Sequence, residues 1–189
     1  ISVKTRTYDY YVNDGATNGD VWCSAPGTCW DPFILKGTNP AAPLCSLKDL
    51  LDHYPVGAGD RVFIDTGVYP VTDASRNILR NANQGTAIQP LIIYGSTNFQ
   101  AGGALLQGNG TANGIEFLNT ASIELYDLRI TQAQNGVALQ NVAGIILGGV
   151  EAFNNVSNGI SSSAASLTVR NVRLWKNGQY GYSTSGSKG

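Results

Sequence analysis

The sequence predicts an all-β fold, a right-handed parallel β-helix wound from coils of about 22 residues. Two observations predict the coil. Asn113-Gly114, Asn135-Gly136, Asn158-Gly159 and Tyr180-Gly181 punctuate the C-terminal half at intervals of 22, 23 and 22 residues. Between them, apolar residues recur in phase. Ile123, Ile145 and Leu167 form one column, and Leu125, Leu147 and Val169 a second. Leu128, Val150 and Val172 form a third, and Ile130, Ala152 and Leu174 a fourth. A unit this short cannot bury its own apolar face, so stacked copies must share a core. A third observation sets the secondary structure. Ile123-Glu124-Leu125 and Leu128-Arg129-Ile130 alternate apolar and polar, and a period of two is a strand with one side facing inward. The leucine-rich alternative wants Leu-x-x-Leu-x-Leu with an Asn at a set offset, and that pattern is absent.

Taken in chain order, residues 8–12 (Tyr-Asp-Tyr-Tyr-Val) read as a strand, and residues 13–43 as loop, rich in Gly, Pro and Asn. Residues 46–54 read as the one helix. Ser46 is its N-cap, Asp49 lies three residues on, and Leu47, Leu50 and Leu51 share a face. Pro55 and Gly57 stop it. Strands follow at residues 61–64, 68–71 and 90–94. The repeats then bring two strands each, separated by short gaps such as Tyr126-Asp127 and Arg170-Asn171 that suit a tight bend between sheets. A third strand is expected near Ile115–Phe117 and Val137–Leu139, and Tyr182-Ser183-Thr184 starts another coil. The Asn-Gly pairs are expected to need positive φ. A helix ahead of the first coil would cover the open end of a solenoid, which is otherwise a row of unpaired backbone groups. The organisation expected is an N-terminal strand and Cys-containing loop region (1–45), a capping helix and turn (46–58), and β-helix coils (59–189). Those coils read as one continuous domain that gives out at Ser185–Gly189 without a cap.

Composition agrees. There are 23 Gly, no Met and 13% charged residues, which suits a solenoid built from turns. A net charge of −1 gives the whole molecule no strong preference for a partner, and no dense basic patch points to nucleic acid. Charge is unevenly placed. After Glu151 there is no acid, while Arg170, Arg173, Lys176 and Lys188 follow. No run is long and apolar enough to insert in a membrane, and no signal peptide precedes the chain. It opens at Ile1, which suggests a processed or excised product. Cys23, Cys29 and Cys45 lack the Cys-x-x-Cys spacing of a zinc site. One disulfide and one remaining thiol is the simplest arrangement for a secreted or cell-surface chain. Of three open pairings, Cys23–Cys29 is preferred because it would close the Pro26-Gly27 loop, with Cys45 as the alternative partner.

The run SLKDLLDHYPVGAGDRVFIDTGVY, Ser46 to Tyr69, carries a resemblance. It is similar to the opening segment of secreted right-handed β-helix proteins of the pectate-lyase-like superfamily. There a capping helix leads through a Gly-Asp turn into a V-x-V-x-x-G-x-Y first coil, matched here by Gly59-Asp60, Val62, Ile64, Gly67 and Tyr69. The resemblance extends through Ile92–Tyr94 and the Asn-Gly coils to about residue 181. It implies the fold and secretion. Members include polysaccharide lyases, hydrolases and epimerases, and also non-catalytic modules of large surface proteins. Lyases of this group hold calcium on stacked carboxylates, with Arg or Lys as base.

No acidic column of that kind forms here. Asp127 shares its column with Gly149 and Asn171, and Glu116 and Glu124 lie on different strands. No catalytic residue is assigned. His53 reads as a surface or helix-end residue. The residues that stand out as glycan contacts are Arg129, Glu151 and Arg173, a plus-minus-plus column that also reads as cross-strand pairing, together with Trp175. In the column Thr131, Phe153, Trp175, the aromatic rings are expected to stack inside, at a corner. Asp14, Asn18 and Asp20, next to Asn13, could hold calcium, though Asx turns account for the same residues; no other cofactor is indicated.

The expected function is that of a non-catalytic extracellular β-helix module, part of a larger surface or matrix protein, acting as a rigid scaffold with glycan contact. One alternative is the N-terminal part of a carbohydrate-active enzyme, a polysaccharide lyase or hydrolase. Another is a subunit that stacks end to end into an extracellular filament. The partners expected are the rest of a longer chain or a copy of itself at the open C-terminal end, and a polysaccharide; neither nucleic acid nor membrane insertion is expected.

Overall fold

The computed structural model describes residues 6–163 and 166–185. In chain order the elements begin with β1 (Asp9–Val12), α1 (Leu47–His53), β2 (Arg61–Ile64), β3 (Gly67–Val71), β4 (Ile78–Leu79) and β5 (Leu91–Gly95). Next come β6 (Ala104–Gly108), β7 (Ile115–Leu118), β8 (Ala121–Tyr126), β9 (Leu128–Thr131), β10 (Val137–Gln140) and β11 (Ala143–Gly148). The last are β12 (Glu151–Phe153), β13 (Ile160–Ser163), β14 (Leu167–Arg170), β15 (Arg173–Trp175) and β16 (Tyr182–Thr184). Three parallel sheets form a right-handed β-helix. Sheet A runs β1-β2-β5-β8-β11-β14, sheet B runs β3-β6-β9-β12-β15, and sheet C runs β4-β7-β10-β13-β16. The columns read from the sequence are the observed register: Ile145 pairs with Ile123 and Leu167, and Glu151 with Arg129 and Arg173.

The inward columns make one core. Ile123, Leu125, Leu128, Ile130, Leu147 and Val150 are fully buried. Each such side chain contributes about 1.5–3 kcal/mol by leaving water. In the last three coils the chain turns from sheet A to sheet B in one or two residues, with left-handed backbone at Asp127 (φ 52°), Gly149 (64°) and Asn171 (51°). The short gaps therefore are the tight bends expected. The Asn-Gly pairs have a different cause from the one expected: none of Gly114, Gly136 and Gly159 has a positive φ. They pack too tightly for a side chain. A Cβ on Gly114 would lie 2.2 Å from Ile130 Cγ2, and one on Gly136 2.5 Å from the Gly159 carbonyl oxygen. Their Asn partners form a ladder. Asn135 Nδ2 donates to Asn113 Oδ1 and Asn158 Nδ2 to Asn135 Oδ1, both at 2.9 Å.

The first coil is covered. Helix α1 starts at Ser46, whose Oγ accepts from the Asp49 N–H at 3.1 Å, and it buries Leu47 and Leu50. The free edge of β1 is paired by the loop that follows it. Tyr11 N–H donates to the Gly37 carbonyl at 2.7 Å and Leu44 N–H to the Tyr11 carbonyl at 3.0 Å. Asp65, fully buried, ties the loop down by accepting from the N–H groups of Val21 (2.7 Å), Trp22 (2.7 Å) and Cys23 (2.6 Å).

The disulfide joins Cys29 to Cys45, with Cα atoms 4.9 Å apart, and not Cys23 to Cys29. The Asp65 contacts explain the correction. They fix Cys23 with its thiol buried against the Val12 carbonyl, whereas Cys29 reaches the residue just before the helix cap. Burial pushes the Cys23 thiol well above its ordinary pKa. The structure also has strands the sequence reading did not place, β4, β6 and β13.

Candidate functional site

On the outer face of sheet B, β9, β12 and β15 present Arg129, Glu151 and Arg173 side by side. Arg129 Nε donates to Glu151 Oε2 at 3.0 Å, and Arg173 Nη1 donates to Glu151 Oε1 at 3.1 Å. Both carboxylate oxygens are engaged. Arg129 is also held by the Gly102 carbonyl, 2.7 Å from Nη1. Arg173 keeps 76% of its side chain exposed, so it is the arm of the ladder free to meet a ligand.

Two residues further along the same strands, Phe153 and Trp175 stack with ring centroids 4.6 Å apart and planes 1° apart. The rings face outward, against the expectation of an inside corner. The alternation decides this: Ala152 and Leu174 take the inward positions between Glu151 and Phe153 and between Arg173 and Trp175. The Arg129 guanidinium lies 5.3 Å from the Phe153 centroid and Lys176 Nζ lies 5.4 Å from the Trp175 centroid. The rings are therefore sandwiched by cations. Trp175 remains 41% exposed.

A groove of about 640 Å³ runs over this face, lined by Phe99, Asp127, Asn171 and the Arg-Glu-Arg column. Its far wall comes from an enlarged bend. Between β8 and β9 the chain passes from sheet A to sheet B through Asp127 alone, but between β5 and β6 it takes residues 96–103. That excursion is pinned down by Asn98, whose Oδ1 accepts from Ala101 N–H at 3.3 Å and whose Nδ2 donates to the Gly19 carbonyl at 2.8 Å. It delivers Phe99 and the Gly102 carbonyl to the groove. Asp127 reaches into the space that Gly149 leaves, since a Cβ there would sit 2.1 Å from Asp127 Oδ1. Burial raises its carboxyl above the ordinary aspartate value. Thus the four glycan-contact residues expected from the sequence share one face. Phe99, Phe153 and Asp127 join them there.

Of the calcium candidates, Asp14 and Asp20 accept hydrogen bonds, while Asp20 Oδ1 is buried with no hydrogen-bond partner among the described residues. Asp14 Oδ1 accepts from Ala16 N–H at 2.9 Å, an Asx turn, and its Oδ2 accepts from Val68 N–H at 3.1 Å. Asp20 Oδ2 accepts from Asn13 Nδ2 at 2.6 Å. Among the described residues, the one cluster of acid, His and Cys ligand atoms is Cys29, Cys45 and Asp49, and two of its members are the disulfide. His53 is a helix-end residue, as expected; its ring stacks on Trp30 at 4.1 Å and its Nδ1 lies 2.8 Å from the Asp49 carbonyl. The sequence holds two glycosylation sequons, Asn109-Gly110-Thr111 and Asn155-Val156-Ser157; the second is closed off, because Asn155 is buried and hydrogen-bonded to Asn177 at 3.0 Å.

The sequence reading missed a second group of side chains. On the outer face of sheet A, Tyr11, Phe63, Tyr94 and Tyr126 stack in one row. The 22-residue period does not reveal them, because Tyr11, Phe63 and Tyr94 precede the regular coils and Tyr126 is followed in its column by Gly148 and Arg170. A signal was present nonetheless: in Val62-Phe63-Ile64, Ile93-Tyr94 and Leu125-Tyr126, an outward aromatic follows an inward aliphatic. No helix among the described residues is long and apolar enough to cross a membrane. Comparison with protein-family models, curated proteins and solved structures finds no match to this chain.

Proposed function

We propose that this chain is an extracellular β-helix module, of pectate-lyase-like architecture, that serves a larger surface or matrix protein as a rigid scaffold and contacts an acidic glycan through the groove on sheet B. The observation that carries this reading is the Arg129-Glu151-Arg173 column beside the Phe153–Trp175 stack. Glu151 spends both oxygens on the two guanidiniums, and Arg173 still projects into solvent. Exposed guanidinium matches a uronate carboxylate, and adjacent aromatic surface matches the apolar faces of sugar rings. No acidic residue follows Glu151, so the last coils carry Arg170, Arg173 and Lys176 without an opposing carboxylate of their own. The disulfide supports an oxidising compartment.

The test is titration of the protein with polygalacturonate at low and at physiological salt. Binding should weaken as salt rises, and Arg173→Ala should weaken it severalfold without changing thermal stability. Binding that Arg173→Ala leaves untouched would remove the groove from the proposal. A second reading rests on Asp127: a carboxyl of raised pKa, lining the same groove as Arg129 and Arg173, is suited to proton transfer. On that reading the same preparation would shorten the polymer, and Asp127→Asn would abolish the shortening.

A further inference from the structure

The outer face of sheet A carries a surface of different chemistry. Tyr11, Phe63, Tyr94 and Tyr126 occupy one outward column on β1, β2, β5 and β8. Successive ring centroids are 5.4, 5.5 and 5.6 Å apart and successive planes lie 18°, 16° and 19° apart. At that separation nearly parallel rings are offset, so each covers only part of its neighbour and leaves part of a face to solvent. Trp22 extends the surface sideways, 5.2 Å from Phe63 and inclined at 58°. Its position is built, because its own N–H and those of both neighbours are bound by the buried Asp65 carboxylate.

The charges beside the row are of opposite sign: Arg61 with Asp9, and Glu124 with Arg170, both of which act on Tyr126. Arg61 lies over Phe63, 5.6 Å from its centroid, but its guanidinium is spent on Asp9 through two bonds of 2.8 and 2.6 Å. Glu124 accepts the Tyr126 hydroxyl at 2.7 Å. The row ends where Tyr126 leans over Gly148; a Cβ there would lie 2.5 Å from the ring. Stapling of the coils accounts for the stacking alone. It does not account for Trp22, which belongs to no coil.

We infer that this face binds a neutral, extended polysaccharide lying along the solenoid axis, separately from the acidic-glycan groove on sheet B. Charge complementarity selects the ligand. A row without net charge gives a uronate chain nothing to pair with, and the partly open ring faces fit the C–H faces of pyranose rings. The rings step once per strand, a rise close to what one sugar unit adds to an extended 1,4-linked chain. The phenol hydroxyls of Tyr11 and Tyr94 can exchange hydrogen bonds with sugar hydroxyls.

The experiment is calorimetric titration of the whole chain with neutral 1,4-linked hexasaccharides of glucose, xylose and mannose, alongside light scattering. At least one sugar should bind, without salt dependence. Tyr94→Ala should weaken it tenfold or more, Tyr94→Phe less, and Arg173→Ala not at all. Should Tyr94→Ala fail to fold, Trp22→Ala serves, since Trp22 lies outside the coils. Failure of all three sugars to bind overturns the inference. So does a dimer that dissociates on Trp22→Ala, which would make the row a contact between copies. Because Arg173→Ala and the row variants act on different ligands, the sheet B proposal and this one fail separately.

Discussion

The two ends of the solenoid present the same columns in opposite circumstances. Under α1 and the loop that pairs β1, Val12, Leu44, Val62 and Ile64 are fully buried. In the last coil, Val169 and Tyr182 are each 47% exposed, although Val169 continues the column in which Leu125 and Leu147 are fully buried. Nothing in residue type separates the two cases. Burial in a parallel solenoid comes from the layers above and below, so an inward position acquires its energetic value from its neighbours. The contrast also bears on end-to-end stacking. At the β1 end the backbone of Tyr11 is bonded to Gly37 and Leu44, and α1 covers the core.

That contrast can be broken or sharpened by experiment. The largest difference is expected within one column. Leu147→Ala should cost about 3–4 kcal/mol, and Val169→Ala about 1 kcal/mol or less, by chemical denaturation. Equal costs would mean that the last layer is covered in solution. Next, reducing Cys29–Cys45 should remove about 2–3 kcal/mol, because that bond closes a loop of 16-residue separation at the covered end. Hydrogen exchange should then rise first in β1 and α1 and leave β8 and β11 protected. An even rise throughout would show that the cap and coils unfold as one unit.

A smaller effect is expected towards the other end. Glu151→Gln should cost about 1 kcal/mol, since it leaves Arg129 and Arg173 facing one another with only a neutral amide between them. Added salt should narrow the difference from the parent protein. The smallest effect belongs to Asp127. Its folded pKa is raised by burial, so the folded state holds the proton more tightly than the unfolded chain. The favourable contribution is present below the unfolded pKa of about 3.9 and is lost as pH rises through the folded value. Asp127→Asn, which suits the left-handed backbone there as Asn171 does, should therefore raise the melting temperature slightly at pH 7 and not at pH 3. A gain that is constant with pH would assign the effect to shape rather than charge.

The coils were legible because stacking imposes one period on every layer, and Ile123, Ile145 and Leu167 obey it. Helix α1 was legible from Ser46 and its leucines. Strands β4 and β6 were not, since 3-10 turns at Asp73–Ser75, Asn81–Asn83 and Phe99–Ala101 push them out of phase. The Asn-Gly pairs were placed correctly for the wrong reason: contact with the next layer excludes a Cβ, and no local pattern reveals that. The column Arg129-Glu151-Arg173 was visible as spacing, but Phe99 was not, because it reaches the groove from a bend that breaks the repeat. Asp65 was invisible as an anchor. Its partners are backbone N–H groups at Val21, Trp22 and Cys23, far away in sequence, and backbone donors leave no trace in residue type. The ends of the chain, residues 1–5 and 186–189, lie outside the described residues.

The long bend at residues 96–103 separates the two things a solenoid of this kind must do. Both of its ends rest on strands whose pairing it leaves unchanged, β5 on β8 and β6 on β9. Rigidity resides in the rod, and the groove exists because one corner was lengthened. Such a corner behaves as a cassette. Trimming it to the length of the Asp127 bend should leave a stable rod with a bare sheet B face, and exchanging it should change what that face recognises without disturbing the core beneath.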